Sequence, residues 1–169
     1  MTSPHEITPA DIMPMDDYAA VRAERQKAIG ELKKDRRVAV GPDATFYFES
    51  YDTMFHQVHE MLFIEKGGDD QIADELSAYN PLIPNGRELV ATLMFEIDDP
   101  SRRARFLDGL GGVEKTASLA FEGETIKALA EQDVDRTTAE GKASSIQFLH
   151  FPFTPAQIEK FRTPGAKVT

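Results

Sequence analysis

The stretch Glu88-Leu89-Val90-Ala91-Thr92-Leu93-Met94-Phe95-Glu96-Ile97 sorts its residues by parity. Leu89, Ala91, Leu93, Phe95 and Ile97 fall on one side, and Glu88, Thr92 and Glu96 on the other. Successive side chains of an extended chain point to opposite faces, so this alternation predicts a half-buried strand. A further strand is expected at Ser145–Phe151. Shorter ones at Arg37–Val40 and Thr45–Glu49 are parted by Gly41-Pro42-Asp43-Ala44, the composition of a hairpin turn. Ala117–Glu122 and Glu124–Leu129 read as another hairpin around Gly123.

Between these strands the period changes. From Tyr51 to Glu65, apolar residues recur at steps of three and four (Tyr51, Met54, Phe55, Val58, Met61, Leu62), which predicts a helix with a core-facing stripe. Gly67-Gly68 ends it, and Asp69 is expected to cap a second helix carrying Ile72, Leu76 and Tyr79. Upstream, residues 1–15 read as an arm ending in a helical turn capped by Thr8. Asp16 or Asp17 is then expected to cap a longer helix to about Arg36. Downstream, Asp99-Pro100 starts a short helix closed by Gly111-Gly112. Residues 131–142 are polar and expected to form a surface loop, and Thr154-Pro155 starts a last helix with Gln157 completing the capping box. The mixture has no regular βαβ rhythm. It predicts a single α+β domain, a mainly antiparallel sheet with helices packed on one face, and shows no internal repeat or linker.

Composition narrows the function. At 41% apolar and 28% charged residues the chain is globular in character, and no apolar run approaches the roughly 18 residues of a membrane span. The start, Met1–Met15, has neither a basic beginning nor an apolar centre, so a cytoplasmic protein is expected. Lys and Arg number 19 against 29 Asp and Glu, a net charge of −10, which argues against nucleic-acid or anionic-membrane surfaces. With no cysteine, the chain has no disulfide, no thiolate nucleophile and no self-held cysteine-ligated iron–sulfur cluster. Any metal must therefore be bound by His, Asp or Glu.

The segment Asp52-x-x-x-His56-x-x-His59-Glu60 is the most suggestive in chemical terms. On a helix Asp52, His56, His59 and Phe63 form a stripe beside the core stripe, with Glu60 one turn from His56. Two histidines at i, i+3 can chelate a metal with carboxylates completing the shell. The spacing departs from the zinc-peptidase signatures, since Phe63 stands where a second ligand would be needed and Glu60 follows the second His. The plainer alternative is a pair of boundary histidines hydrogen-bonded to carboxylates. His150 shares a strand face with Ile146 and Phe148, as a core histidine also would. Glu49, Glu65 and Glu96 are the carboxylates expected to turn inward at element edges. Gly141-Lys142-Ala143-Ser144 lacks both the leading glycine and the hydroxyl after the lysine that a phosphate loop needs. No Gly-x-Gly-x-x-Gly and no Gly-x-Ser-x-Gly is present, so nucleotide binding and serine catalysis have no signal.

Longer strings carry a resemblance. Arg36-Arg37-Val38-Ala39-Val40-Gly41-Pro42, Gln57-Val58-His59-Glu60-Met61-Leu62, Glu65-Lys66-Gly67-Gly68, the run from Asn80 to Leu89, Ala91 to Ile97, and His150-Phe151-Pro152-Phe153-Thr154 resemble a bacterial family, domain of unknown function 3501, over nearly the whole chain. Members of that family tend to be encoded beside rubrerythrin-like and heterodisulfide-reductase-like iron–sulfur proteins. The resemblance therefore implies an accessory role in a redox or oxidative-stress system, with a rubrerythrin-like or iron–sulfur redox protein as partner and a homodimer as a further expectation. The matching positions able to hold non-haem iron, manganese or zinc are His59, Glu60, Glu65, Glu96 and His150, with His56 beside them. The competing expectation is an assembly module that holds an iron–sulfur partner and does no chemistry, or an enzyme using Glu60 or Glu96 as a metal-free base.

Overall fold

The computed structural model describes residues 4–131 and 143–169; the expected surface loop at 131–142 lies, but for Glu131, outside the described residues. The chain folds into two compact units, each built from two stretches of sequence: Met1–Arg37 with Glu49–Gly86, and Val38–Phe48 with Arg87–Thr169. No linker marks the division because the chain crosses between units at the ends of short strands. The α+β class and the antiparallel sheet stand as expected.

The second unit holds the sheet. Strands β1 (Arg37–Val40), β2 (Ala44–Phe48), β3 (Glu88–Phe95), β6 (Leu129–Ala130) and β7 (Ile146–Pro152) lie in the order β1-β2-β3-β7-β6. β3 pairs antiparallel with β2 and with β7, and β6 antiparallel with β7. The parity of β3 is obeyed: Ala91, Leu93 and Phe95 are buried with Leu149 and Phe151 of β7. They pack against Leu107 of helix α4 (Pro100–Asp108), with Phe161 of helix α5 (Pro155–Phe161) at the margin. Leu119, Phe121 and Ile126 join this core from the hairpin of β4 (Ser118–Phe121) and β5 (Glu124–Lys127), which forms a sheet of its own. Its two-residue turn, Glu122 (φ 45°) and Gly123 (φ 75°), has both residues in the left-handed region, the turn that suits the twist of a tight hairpin.

Val90 and Thr92, on the other face of β3, are only 1% and 6% exposed, so the middle of this strand is buried on both faces rather than half-buried. The two-residue β6 was not expected; so short a segment shows no alternation. The α4 helix closes at Gly109, before the expected Gly111-Gly112, and a one-turn 3-10 helix, Val113–Lys115, follows.

The first unit is helical: α1 (Met15–Lys34), α2 (Tyr51–Glu65) and α3 (Asp69–Tyr79). Ser50 caps α2, accepting from the Thr53 N–H, and Lys66 ends it in the left-handed conformation. α1 begins at Met15 after Pro14, so Asp16 and Asp17 sit inside the first turn, where they complement the positive end of the helix dipole, instead of capping it. α3 likewise begins at Asp69, with Gly68 (φ 71°) as the capping residue. Met54, Val58 and Leu62 of α2 are buried as the apolar stripe requires, and His59 is buried with them. Among the described residues, no helix is long and apolar enough to cross a membrane.

Candidate functional site

His59 is fully buried. Its Nδ1–H donates to the Phe55 carbonyl one turn earlier (2.8 Å), and its Nε2 accepts from the Met13 backbone N–H (3.1 Å). Those two bonds fix a neutral tautomer, and burial pushes the imidazole below its usual range. Tyr18 and Phe55 flank the ring at centroid distances of 5.1 and 4.3 Å. A metal at this residue would have to displace the Met13 amide. Of the stripe that suggested a chelating pair, only His59 is enclosed, by Met13 of the arm before α1, while Asp52 is exposed and His56 half-buried.

Its helix neighbours are engaged differently. Glu60 accepts from both Nε and Nη2 of Arg22 (2.9 Å each), from the Tyr18 hydroxyl (2.7 Å) and from Gln26 (3.2 Å). The Arg22 hydrogen bonds hold the Glu60 carboxyl down at about 2, while burial, helped by Glu60, pushes the Tyr18 hydroxyl up. A carboxylate so far below neutrality and shared among three donors is a poor general base. His56 is half-buried, and burial lowers its imidazole also. Two of the inward expectations fail. Glu65 is exposed at the end of α2 and accepts from Gln71 (2.7 Å). Glu96 is exposed just beyond β3, on the side opposite the core, and accepts from the Tyr47 hydroxyl (2.7 Å). Glu49 does turn inward, accepting from the Thr53 hydroxyl.

His150 belongs to the second unit and stands on the sheet face opposite the Leu93–Leu149 core. Its cross-strand partners are Val90 of β3 and Leu129 of β6. Two residues from Val90 on the same face is Glu88, whose Oε2 lies 3.1 Å from Nδ1. Two residues beyond Leu129 is Glu131, whose Oε2 lies 2.7 Å from Nε2. The ring is thus held between carboxylates from both sides, with side chains 18% (His150), 12% (Glu88) and 23% (Glu131) exposed. Both bonds are made in full only by the imidazolium. Its proton affinity is accordingly raised, first by Glu88 and then by Glu131, against the opposing effect of burial.

Buried His59 and partly buried His150 therefore give stability opposite pH dependences. His150 contributes most below the unfolded value of about 6.5, and its contribution is lost as pH rises through the raised folded value. His59, with a lowered value, contributes fully above about 6.5 and loses that contribution as pH falls. His150→Gln is expected to cost about 1 kcal/mol at pH 6 and almost nothing at pH 9, read from urea denaturation at the two pH values. Equal losses at both would show that the ring is not charged in the folded protein.

Among the described residues, no three or more His, Asp or Glu side chains gather in a group able to hold a metal. His56, His59, Glu60 and Glu65 all lie on α2 in the first unit, whereas His150 and Glu96 belong to the second. Glu88 and Glu131 were missed as partners of His150. Glu88 was legible as a residue on the polar face of its strand, and Glu131 only as part of a polar stretch. Their meeting depends on strand register, which neither segment encodes alone.

No curated protein matches the chain. Among solved structures it is similar to a novel protein of unknown function from Burkholderia pseudomallei K96243, with 35% identity, a TM-score of 0.88, and coverage of 96% of this chain and 84% of that one. The family model described as "Protein of unknown function (DUF3501)" matches residues 6–169, and the chain belongs to that family.

Proposed function

We propose that this protein is an accessory of a redox or oxidative-stress system and that its working site is His150 with Glu131, a place for a non-haem divalent metal such as iron, manganese or zinc. The redox half rests on the family resemblance. The metal half rests on one observation: a ring nitrogen and a carboxylate oxygen 2.7 Å apart, with the opposite ring nitrogen facing a second carboxylate. When the ring is neutral, a nitrogen lone pair facing a carboxylate at that distance is repulsive unless a cation, a proton or a metal, lies between them. Metal bonds of about 2.0–2.2 Å require the Glu131 oxygen, which now lies near the line of the Nε2 lone pair, to swing aside by about 2 Å to admit the ion. Two protein ligands leave the other positions to water or to groups of a partner protein, as suits an accessory role.

Protein purified without an affinity tag is expected to carry metal in stoichiometric amount, to lose it in His150→Ala and to keep it in folded His59→Phe. A metal-free protein whose melting temperature does not respond to iron, manganese or zinc would overturn this reading. A second reading is favoured by the edge strand β1, all four of whose residues are exposed, Val38 and Val40 by 52% and 54%. An edge of that kind accepts an added strand, as an assembly module for an iron–sulfur partner would require. On that reading, an iron–sulfur protein co-purifies in fixed ratio and is lost in the double variant Val38→Glu, Val40→Glu. Co-purification undiminished by these charges would sink it.

A further inference from the structure

The outer side of β1 is open. The strand lies at one edge of the five-stranded sheet and all four of its residues are exposed. Among the described residues, no backbone hydrogen bond from outside the sheet reaches Arg37–Val40. Edge strands are commonly guarded by a charge or a proline within them, and Val38-Ala39-Val40 has neither. Side chains alternate along the strand, so Val38 and Val40 share one face and Arg37 and Ala39 the other. Positive charge gathers at its start: Lys33-Lys34-Asp35-Arg36-Arg37 has four cations and one carboxylate, on a chain of net charge −10. Among the described residues Arg37 makes no ion pair. Asp43, the first carboxylate after the strand, is already held through both oxygens by Arg102 (2.9 and 2.8 Å).

We infer, deepening the assembly reading above and resting on it for the partner's setting, that this edge takes an extended acidic segment of a partner protein as an added antiparallel strand. Running against β1, such a segment reads apolar, small, apolar, acidic: its apolar residues oppose Val40 and Val38, and its carboxylate opposes Arg37. Antiparallel pairing is the more stable arrangement. Main-chain hydrogen bonds supply the attraction, and the cross-strand ion pair supplies the choice of partner. A second copy of this chain fits less well. Antiparallel pairing that sets Val38 against the Val40 of a second β1 puts Arg37 against Gly41, which offers it no carboxylate. Four residues also span only about 14 Å, short for the roughly 1,000 Å² that a lasting interface buries. A single extended segment that docks and releases needs no such area.

The test titrates the full-length, 15N-labelled protein with two blocked peptides, acetyl-Thr-Val-Thr-Val-Glu-Thr-amide and its counterpart with Lys in place of Glu, at millimolar concentrations. An ionic strength of about 0.15 M, with a screening length of about 8 Å, confines the comparison to charges near β1. The amides of Arg37–Val40 are expected to shift in both titrations, with affinity for the Glu peptide about 2- to 5-fold higher. Arg37→Glu is expected to reverse that preference, and about 1 M salt to abolish it. No shift at β1 with either peptide, or a preference that Arg37→Glu leaves unchanged, overturns the inference. So does a dimer in sedimentation whose β1 amides shift with protein concentration, since a second copy then holds the edge. If the peptides behave as expected and no iron–sulfur protein co-purifies, the assembly reading fails and the acidic-strand preference stands. If such a protein co-purifies through β1 and Arg37→Glu leaves it bound, the charge assignment fails and the assembly reading stands.

Discussion

Replacing His59 by alanine is expected to destabilise the protein by about 3–5 kcal/mol, lowering the urea midpoint by about 2 M. The ring is fully buried, lies between Tyr18 and Phe55, and makes two hydrogen bonds to backbone groups. Its removal leaves a cavity the size of an aromatic side chain and strands the Met13 N–H without an acceptor, a loss of the order of 1–3 kcal/mol by itself. His59→Phe fills the space and is expected to recover more than half of the loss, because only the hydrogen bonds are then missing. Equal stability of the alanine and phenylalanine variants would show that packing contributes nothing at this position. Loss of metal in an unfolding His59→Ala protein would be uninformative about ligation, which is why the metal assay depends on His150→Ala and on a folded His59→Phe.

The other large effect is expected at Phe151→Ala, again about 3–5 kcal/mol, beside a position that is cheap to change. Phe151 is 1% exposed and lies among Ala91, Leu93, Leu149 and Phe121 in the core of the second unit. His150, one residue earlier, points to the opposite face and meets Glu88 and Glu131. Strand alternation thus places a core residue and a site residue next to each other in sequence and on opposite sides of the sheet. Denaturation of the two alanine variants at one high pH separates them: Phe151→Ala is expected to lose most of the unit's stability and His150→Ala at most about 1 kcal/mol. Comparable losses would mean that β7 is not oriented as described.

Much of the architecture could be read locally, and the reason differs by element. The strands β3 and β7 announce themselves because a buried face imposes a period of two on the residues. The α2 helix does so because the apolar stripe and Gly67-Gly68 are body and stop signals within one short segment. The errors are local as well. Asp16, Asp17 and Asp69 were placed one position outside helices that begin on or before them, since an acidic residue is favourable both as a cap and within the first turn. The β6 strand has two residues and no pattern of its own; pairing with β7 makes it a strand.

The site divides along the same line. That His150 sits on the face opposite Leu149 and Phe151 follows from parity, and that any ligand set must consist of His and carboxylates follows from the absence of cysteine. The helical spacing of His56 and His59 was equally legible. Spacing along one helix reports which side chains share a stripe and is silent on what covers it, here the Met13 amide and the Tyr18 ring. Only the tertiary structure decided that His59 is a sealed, neutral core residue and that His150 stands between two carboxylates that favour its charged form. The first outcome depends on a contact between residues 46 apart in the chain. The second depends on a register that sets Glu88, 62 residues away, and Glu131, 19 away, against the two nitrogens of one ring. Local sequence determines the direction in which a side chain leaves the backbone; the chemistry it acquires depends on which distant residue folding brings to meet it.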